Sequence, residues 1–190
     1  RFIGPANASM RRGEWNKKKY TGTELSGKKL GLIGFGRLAR ETARKARALG
    51  MRIYYTNRKG DRNYSDYHWR TLEELIKTAD FISLHIPYDK EKGAVLGKDQ
   101  FDMMKDGVYI INTARGGVVD EEALLDALNS GKVAGAGIDV FENEPTKNTE
   151  LVNHCRVSVT PHIGASTKEA QKRIGIELVN IINNWEDDDG

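Results

Sequence analysis

Short apolar runs alternate with helical segments along most of this chain, and that alternation limits the folds open to it. Lys29–Ile33, Ile53–Tyr55, DFISLHIP (80–87), VYIIN (108–112), AGAGIDV (134–140) and VSVT (157–160) each read as a strand. Between the first two, Arg37–Leu49 sets Leu38, Ala39, Thr42, Ala43, Ala46 and Leu49 at helical spacing, and Gly50 suits the residue just past the helix. Thr71 and Glu74 form a capping-box pair at the start of LEELIKTA, and QFDMM is a short helix. Asp120 caps a helix over Glu121–Asn129 that ends at Gly131. Ser166 and Glu169 form a second capping-box pair, opening a last helix that runs to about Trp185. Short apolar strands separated by helices imply parallel strands covered on both faces, so the expected class is α/β, a doubly wound parallel sheet. In such sheets ligands sit beyond the carboxyl ends of the strands, so the strand ends are where chemistry is sought.

The first strand end carries GFGRLA. Gly34, Gly36 and Ala39 fit the G-x-G-x-x-A pattern of a dinucleotide loop. The first glycine permits the tight turn, the second lets backbone approach a pyrophosphate, and the small third residue packs helix on strand. The helix start then offers free N–H groups to phosphate. Such a motif is weak alone, but here it follows a strand and opens a helix. An acid usually grips the ribose 2′-hydroxyl about 20 residues on. Asn57 stands there, 21 residues after Gly36, and Arg58 and Lys59 follow. An acid would repel a 2′-phosphate; Asn with Arg would accept one. The cofactor expected is therefore NAD or NADP, with Asn57 and Arg58 leaning to NADP. The bland alternative leaves Arg58 in solvent and Asn57 binding NAD(H) alone.

The later strand ends bring one Arg (Arg115), a choice of acids (Asp139, Glu142, Glu144) and one His (His162) onto one rim. Singly, these read as a surface ion pair, loop charges and a satisfied structural histidine, the reading given to His68, His85 and His154. Together, after a dinucleotide loop, they make an acid–base site.

Composition narrows the classes further. At 190 residues the chain can build one full core, and 38% hydrophobic with 30% charged residues suits a globular domain. No apolar run approaches the roughly 20 residues a membrane helix needs. The single Cys155 rules out an internal disulfide and fits a reducing, cytoplasmic setting, and no secretory signal is visible. Net charge is +3, but residues 1–30 hold eight Lys/Arg against two Glu. The basic stretch RRGEWNKKKY could touch nucleic acid; without a nucleic-acid motif, a solvated segment or subunit-contact arm is preferred. The expected division is a basic arm and linker (1–28), a dinucleotide-binding domain (29–185) and an acidic tail (186–190). A start at Arg1 without methionine and the ending NNWEDDDG suggest a fragment.

GLIGFGRLARETARKARALGM, INTARGGVVDEEALLDAL, GAGIDVFENEP and VTPHIGASTKEAQ resemble the Rossmann-type nucleotide-binding domain of the D-isomer-specific 2-hydroxyacid dehydrogenases, and ANASMRRGEW adds a weaker likeness to phosphoglycerate dehydrogenases. The resemblance covers nearly the whole chain. It implies hydride transfer between NAD(P) and a small-molecule 2-hydroxy or 2-oxo acid. By it, Arg115 anchors the substrate carboxylate, His162 is the general acid/base, and Glu144 pairs with the histidine and favours its protonated form. Glu142 is then a solvent-facing charge. Arg37 and Leu38 would lie by the pyrophosphate and Pro87 on the adenosine side. Thr113, Ala114 and Asp139 would lie near the nicotinamide carboxamide, with Gly164 and Ala165 over the ring. The resemblance also implies a homodimer and a second, substrate-binding lobe that this chain lacks. Two other functions share the constellation: a corepressor-like protein that senses dinucleotide, and phosphite oxidation.

Overall fold

The computed structural model describes residues 2–185. Among them, seven strands form one sheet: β1 (Lys29–Ile33), β2 (Arg52–Thr56), β3 (His68–Trp69), β4 (Phe81–Leu84), β5 (Val108–Asn112), β6 (Val133–Ile138) and β7 (Val157–Val159). Every pairing is parallel, in the order β3-β2-β1-β4-β5-β6-β7. The order reverses between β1 and β4, and the crevice above that point is where a doubly wound sheet receives its ligand.

The helices are α1 (Ile3–Arg11), α2 (Arg37–Ala48), α3 (Leu72–Thr78), α4 (Lys98–Met103), α5 (Glu121–Asn129), α6 (Thr149–Asn153) and α7 (Lys168–Trp185). Ala39, Ala43 and Ala46 form the buried stripe of α2; their small side chains let the helix lie close to Leu30, Leu32 and Ile53. A larger core joins Leu75, Ile76, Phe101, Leu124 and Leu128 of α3–α5 to Ile82, Leu84, Val108, Ile110 and Ile138 of the strands. Burying each such side chain stabilises by about 1.5–3 kcal/mol, so this layer holds the sheet. Thr71 and Glu74 make the expected capping box on α3, and the Asp120 carboxylate accepts the Ala123 N–H at 2.9 Å on α5.

Three local features depart from expectation: the cap of the last helix, the edge strand β3 and the short α6. The last helix is capped by Thr167, whose hydroxyl accepts the Ala170 N–H at 3.1 Å; Ser166 is spent in a turn, its N–H reaching the Ile163 carbonyl. The edge strand β3 and the short α6 are additions. Within the basic arm, Ile3–Arg11 is helical, and Leu25 packs on the core beside α2. The stretch 186–190, expected as an acidic tail, lies outside the described residues.

Two apolar surfaces stay open. On α7, Ile174, Leu178, Ile181, Ile182 and Trp185 are exposed. A groove of about 580 Å³ lies between the chain's start (Phe2, Ile3) and Phe81, Tyr109, Ile111 and Val157 of the sheet. No described helix is long and apolar enough to cross a membrane.

Candidate functional site

The turn after β1 is built for close approach. Gly34 has φ +92°, and a Cβ there would meet the His85 carbonyl oxygen at 2.4 Å, so only glycine fits beside β4 at the switch point. A Cβ on Gly36 would meet nothing within 4 Å; that backbone faces open space. No side chain caps α2, unlike α3, α5 and α6, so its first N–H groups stay available. Ala39 is fully buried, as its packing role requires. An open glycine turn under an uncapped helix start fits a pyrophosphate. Arg37 and Leu38 are exposed at that start, and Pro87 is exposed on the rim after β4.

The loop after β2 carries Asn57, half-buried, and the exposed Arg58 and Lys59. The Asn57 Oδ1 accepts the Lys59 N–H at 2.8 Å in an Asx turn. Its side-chain oxygen is therefore engaged, and its amide N–H groups remain free to donate.

The turn after β5 is held by Asn112, buried at the strand's last position. Its Oδ1 accepts the Ala114 N–H at 3.1 Å and its Nδ2 donates to the Arg115 carbonyl at 3.0 Å. Both hydrogen bonds fold Thr113–Arg115 back over the strand end. A Cβ on Gly116 would sit 1.7 Å from the Phe141 carbonyl oxygen, so the turn is pressed against the loop after β6. Gly117, at φ +79°, lies under the Tyr88 ring. Arg115 itself is exposed; its guanidinium donates to the Ala114 carbonyl at 2.6 Å, and no ion pair engages it among the described residues.

The loops after β6 and β7 meet over Asp139, which is 4% exposed. One carboxylate oxygen accepts from the Thr160 hydroxyl at 2.5 Å and the Ile163 N–H at 2.9 Å; the other accepts the Gly164 N–H at 3.0 Å. The Asp139 carbonyl accepts the His162 N–H at 2.8 Å. Burial pushes the Asp139 carboxyl up, but these donors outweigh it and hold it below the usual carboxylate value. The clasp fixes the loop that carries His162, whose φ of +53° is left-handed. His162 Nδ1 lies 2.8 Å from Glu144 Oε2, and Glu144 Oε1 accepts the Phe141 N–H at 3.1 Å. The histidine contact and then the Phe141 N–H hold the Glu144 carboxyl below its ordinary value. Gly164 and Ala165 are exposed beside this pair.

Glu142 is solvent-exposed, as expected, and it also links two elements. Its carboxylate accepts the Glu121 N–H at 3.3 Å, and the Glu121 carboxylate accepts the Glu142 N–H at 2.8 Å, tying the loop to the start of α5. The other histidines have local partners: His85 Nε2 lies 3.0 Å from the Ser83 hydroxyl, the His154 ring accepts the Arg156 N–H, and His68 packs on Tyr54. Asn112 and Tyr88 were not legible as site residues. A strand-end Asn followed by a Gly-Gly turn was the available signal for the first; nothing pointed to the second. Among the described residues, no group of three or more His, Cys, Asp or Glu could hold a metal ion.

A doubly wound nucleotide-binding domain with an acid–base rim is the class these features define. Residues 1–164 match the family described as D-isomer specific 2-hydroxyacid dehydrogenase, NAD binding domain, and the chain belongs to it. It is 46% identical over 185 residues to a hydroxypyruvate reductase of Thermotoga maritima, covering 96% of this chain and 60% of that one. It is 45% identical to a D-3-phosphoglycerate dehydrogenase of Bacillus subtilis, covering 94% of this chain and 34% of that one. Among solved structures, a glyoxylate reductase from Paecilomyes thermophila superposes with a TM-score of 0.88 at 40% identity, covering 94% of this chain and 55% of that one. The chain thus spans about a third to three fifths of the length of these relatives.

Proposed function

We propose that this chain is the nucleotide-binding part of an NAD(P)-dependent oxidoreductase acting on a 2-hydroxy or 2-oxo acid of phosphoglycerate, glycerate or glyoxylate type. The observation that carries the reading is the 2.8 Å His162–Glu144 pair, on the strand-end rim that also bears Arg115, whose guanidinium makes one hydrogen bond to its own turn and no ion pair among the described residues. When bound, the nicotinamide donates or accepts the hydride. The planar guanidinium of Arg115 binds the substrate carboxylate through two parallel N–H groups. Glu144 engages Nδ1 of His162 and leaves Nε2 for the substrate oxygen. His162 gives that oxygen a proton in reduction and takes it back in oxidation. Phe141 N–H fixes Glu144, and Asp139 fixes the His162 loop, so both partners of the pair are held from the backbone.

Gly34, Gly36, Arg37 and Leu38 would hold the pyrophosphate, and Pro87 the adenosine side. Thr113, Ala114 and Asp139 would lie near the carboxamide, and Gly164 and Ala165 near the ring. The free amide N–H groups of Asn57 with Arg58 support acceptance of a 2′-phosphate, and hence NADP(H). Titrating NADH and NADPH decides this; NADH binding about tenfold tighter or more would sink it. A homodimer is proposed as the assembly, supported by the exposed apolar face of α7 and the open groove on the sheet. Sedimentation as a monomer at micromolar concentration would overturn it. A reducing, cytoplasmic setting is supported by the exposed, unpaired Cys155.

The test of the function is a panel of glyoxylate, hydroxypyruvate and phosphohydroxypyruvate, each with NADH and NADPH, on the intact protein. Oxidation of the cofactor with at least one substrate is expected. Tight dinucleotide binding with no turnover on any would instead favour a dinucleotide-sensing protein.

A further inference from the structure

We propose that Phe35, Tyr55, Tyr64 and Tyr67 form an aromatic clasp that presets the adenosine half of the dinucleotide pocket, with Phe35 as its positioning residue. The proposal rests on the reading above that the Gly34–Gly36 turn binds a dinucleotide. Phe35 is the residue between those two glycines, and the glycine pattern leaves it unassigned.

Its ring stacks on Tyr55 of β2, with centroids 4.1 Å apart and planes at 22°. Tyr64 and Tyr67 present their edges to it at 5.3 and 5.4 Å. Tyr64 also packs on Tyr55 at 5.8 Å and on Tyr67 at 6.0 Å. Stacked and edge-on pairs at these separations are mutually favourable, so the four rings form one connected unit.

The unit joins two loops that would otherwise move separately. One is the phosphate turn after β1. The other is the stretch 57–67 after β2, which carries Asn57 and Arg58. The fully buried Tyr55 anchors that second loop through its hydroxyl, donating to the Asp61 carboxylate at 3.1 Å and accepting the Arg62 N–H at 3.0 Å. Asp61 in turn accepts the Asn63 N–H at 2.8 Å, holding Asn63 in its left-handed conformation. Burial pushes the Tyr55 phenol above its ordinary value, so it stays a neutral donor throughout the physiological range. Arg47 of α2 reaches Asp66 of the same loop at 2.8 Å.

A dinucleotide that touches both loops binds best when their spacing is already set, because ordering them then costs nothing at binding. Phe35 belongs to one loop and Tyr64 and Tyr67 to the other, so the ring contacts act through the loops.

The test is fluorescence titration of the full chain with NADH, NADPH and nicotinamide mononucleotide, using Phe35→Leu and Tyr55→Phe, both of which keep apolar bulk. In Phe35→Leu, both dinucleotides weaken by about tenfold, the scale of lost preorganisation. In Tyr55→Phe the ring stack survives but the loop anchor is lost, so NADPH weakens at least about threefold more than NADH. The mononucleotide lacks the adenosine half, and its affinity stays at the wild-type value in both variants. General destabilisation would weaken all three ligands alike, and that outcome overturns the clasp. Binding of both dinucleotides by Phe35→Leu within twofold of wild type also overturns it. A wild-type chain that binds neither dinucleotide overturns the underlying reading instead, so the two failures are distinct.

Discussion

Replacing Asp139 with Ala removes a carboxylate that accepts from three donors: the Thr160 hydroxyl and the Ile163 and Gly164 N–H groups. A hydrogen bond to a charged group contributes about 1.5–3 kcal/mol net. Water can reach the exposed loop and replace part of this, so the expected loss is about 2–4 kcal/mol, below the simple sum. Asp139→Asn keeps one oxygen acceptor but turns amide hydrogens toward a backbone N–H, and about 1–2 kcal/mol is expected. Urea unfolding gives the loss, and hydrogen exchange at the Ile163 and Gly164 amides reports the clasp itself. The carboxyl is held below its ordinary value of 3.8, so its contribution is complete above that value and is lost as pH falls through the lower folded one. The gap between wild type and Asp139→Ala should therefore be the same at pH 7 and pH 5, and close only in stronger acid. An Ala variant within about 0.5 kcal/mol of wild type, with both amides still protected, would refute the clasp.

Two further outcomes test the rim. Gly116→Ala puts a methyl 1.7 Å from the Phe141 carbonyl oxygen, so backbone must move; a loss of roughly 3 kcal/mol in urea unfolding is expected, and a loss below about 1 kcal/mol would show that the loops are not pressed together. The Glu144 carboxyl should titrate below 4.5 by carbon NMR, because its hydrogen bond from His162 persists as pH falls until the lowered value is reached. In His162→Ala its midpoint should rise toward 4.5, and an unmoved midpoint would assign the shift elsewhere.

The sheet was legible because buried parallel strands are written as apolar runs with helical spacing between them. The strand-end rule alone put Arg115, His162 and a choice of three acids on one rim; only the family resemblance singled out Glu144. The features not legible in the sequence have no periodicity. Asn112 acts through two hydrogen bonds to its own turn, and Glu142 caps α5 through a contact 21 residues away in sequence. β3 is two residues long and offers no pattern. Ser166 and Thr167 both carry a capping hydroxyl; only the turn that spends the Ser166 N–H on Ile163 decides between them.

In the proposed mechanism His162 moves the substrate's proton while the glycine turn holds the dinucleotide independently. His162→Ala in the intact protein, with turnover and NAD(P)H affinity measured side by side, tests it most directly. Turnover should fall by roughly 10² or more, the scale of a lost general acid, with cofactor affinity within about twofold of wild type. Wild-type turnover in that variant would remove His162 from the chemistry and contradict the account.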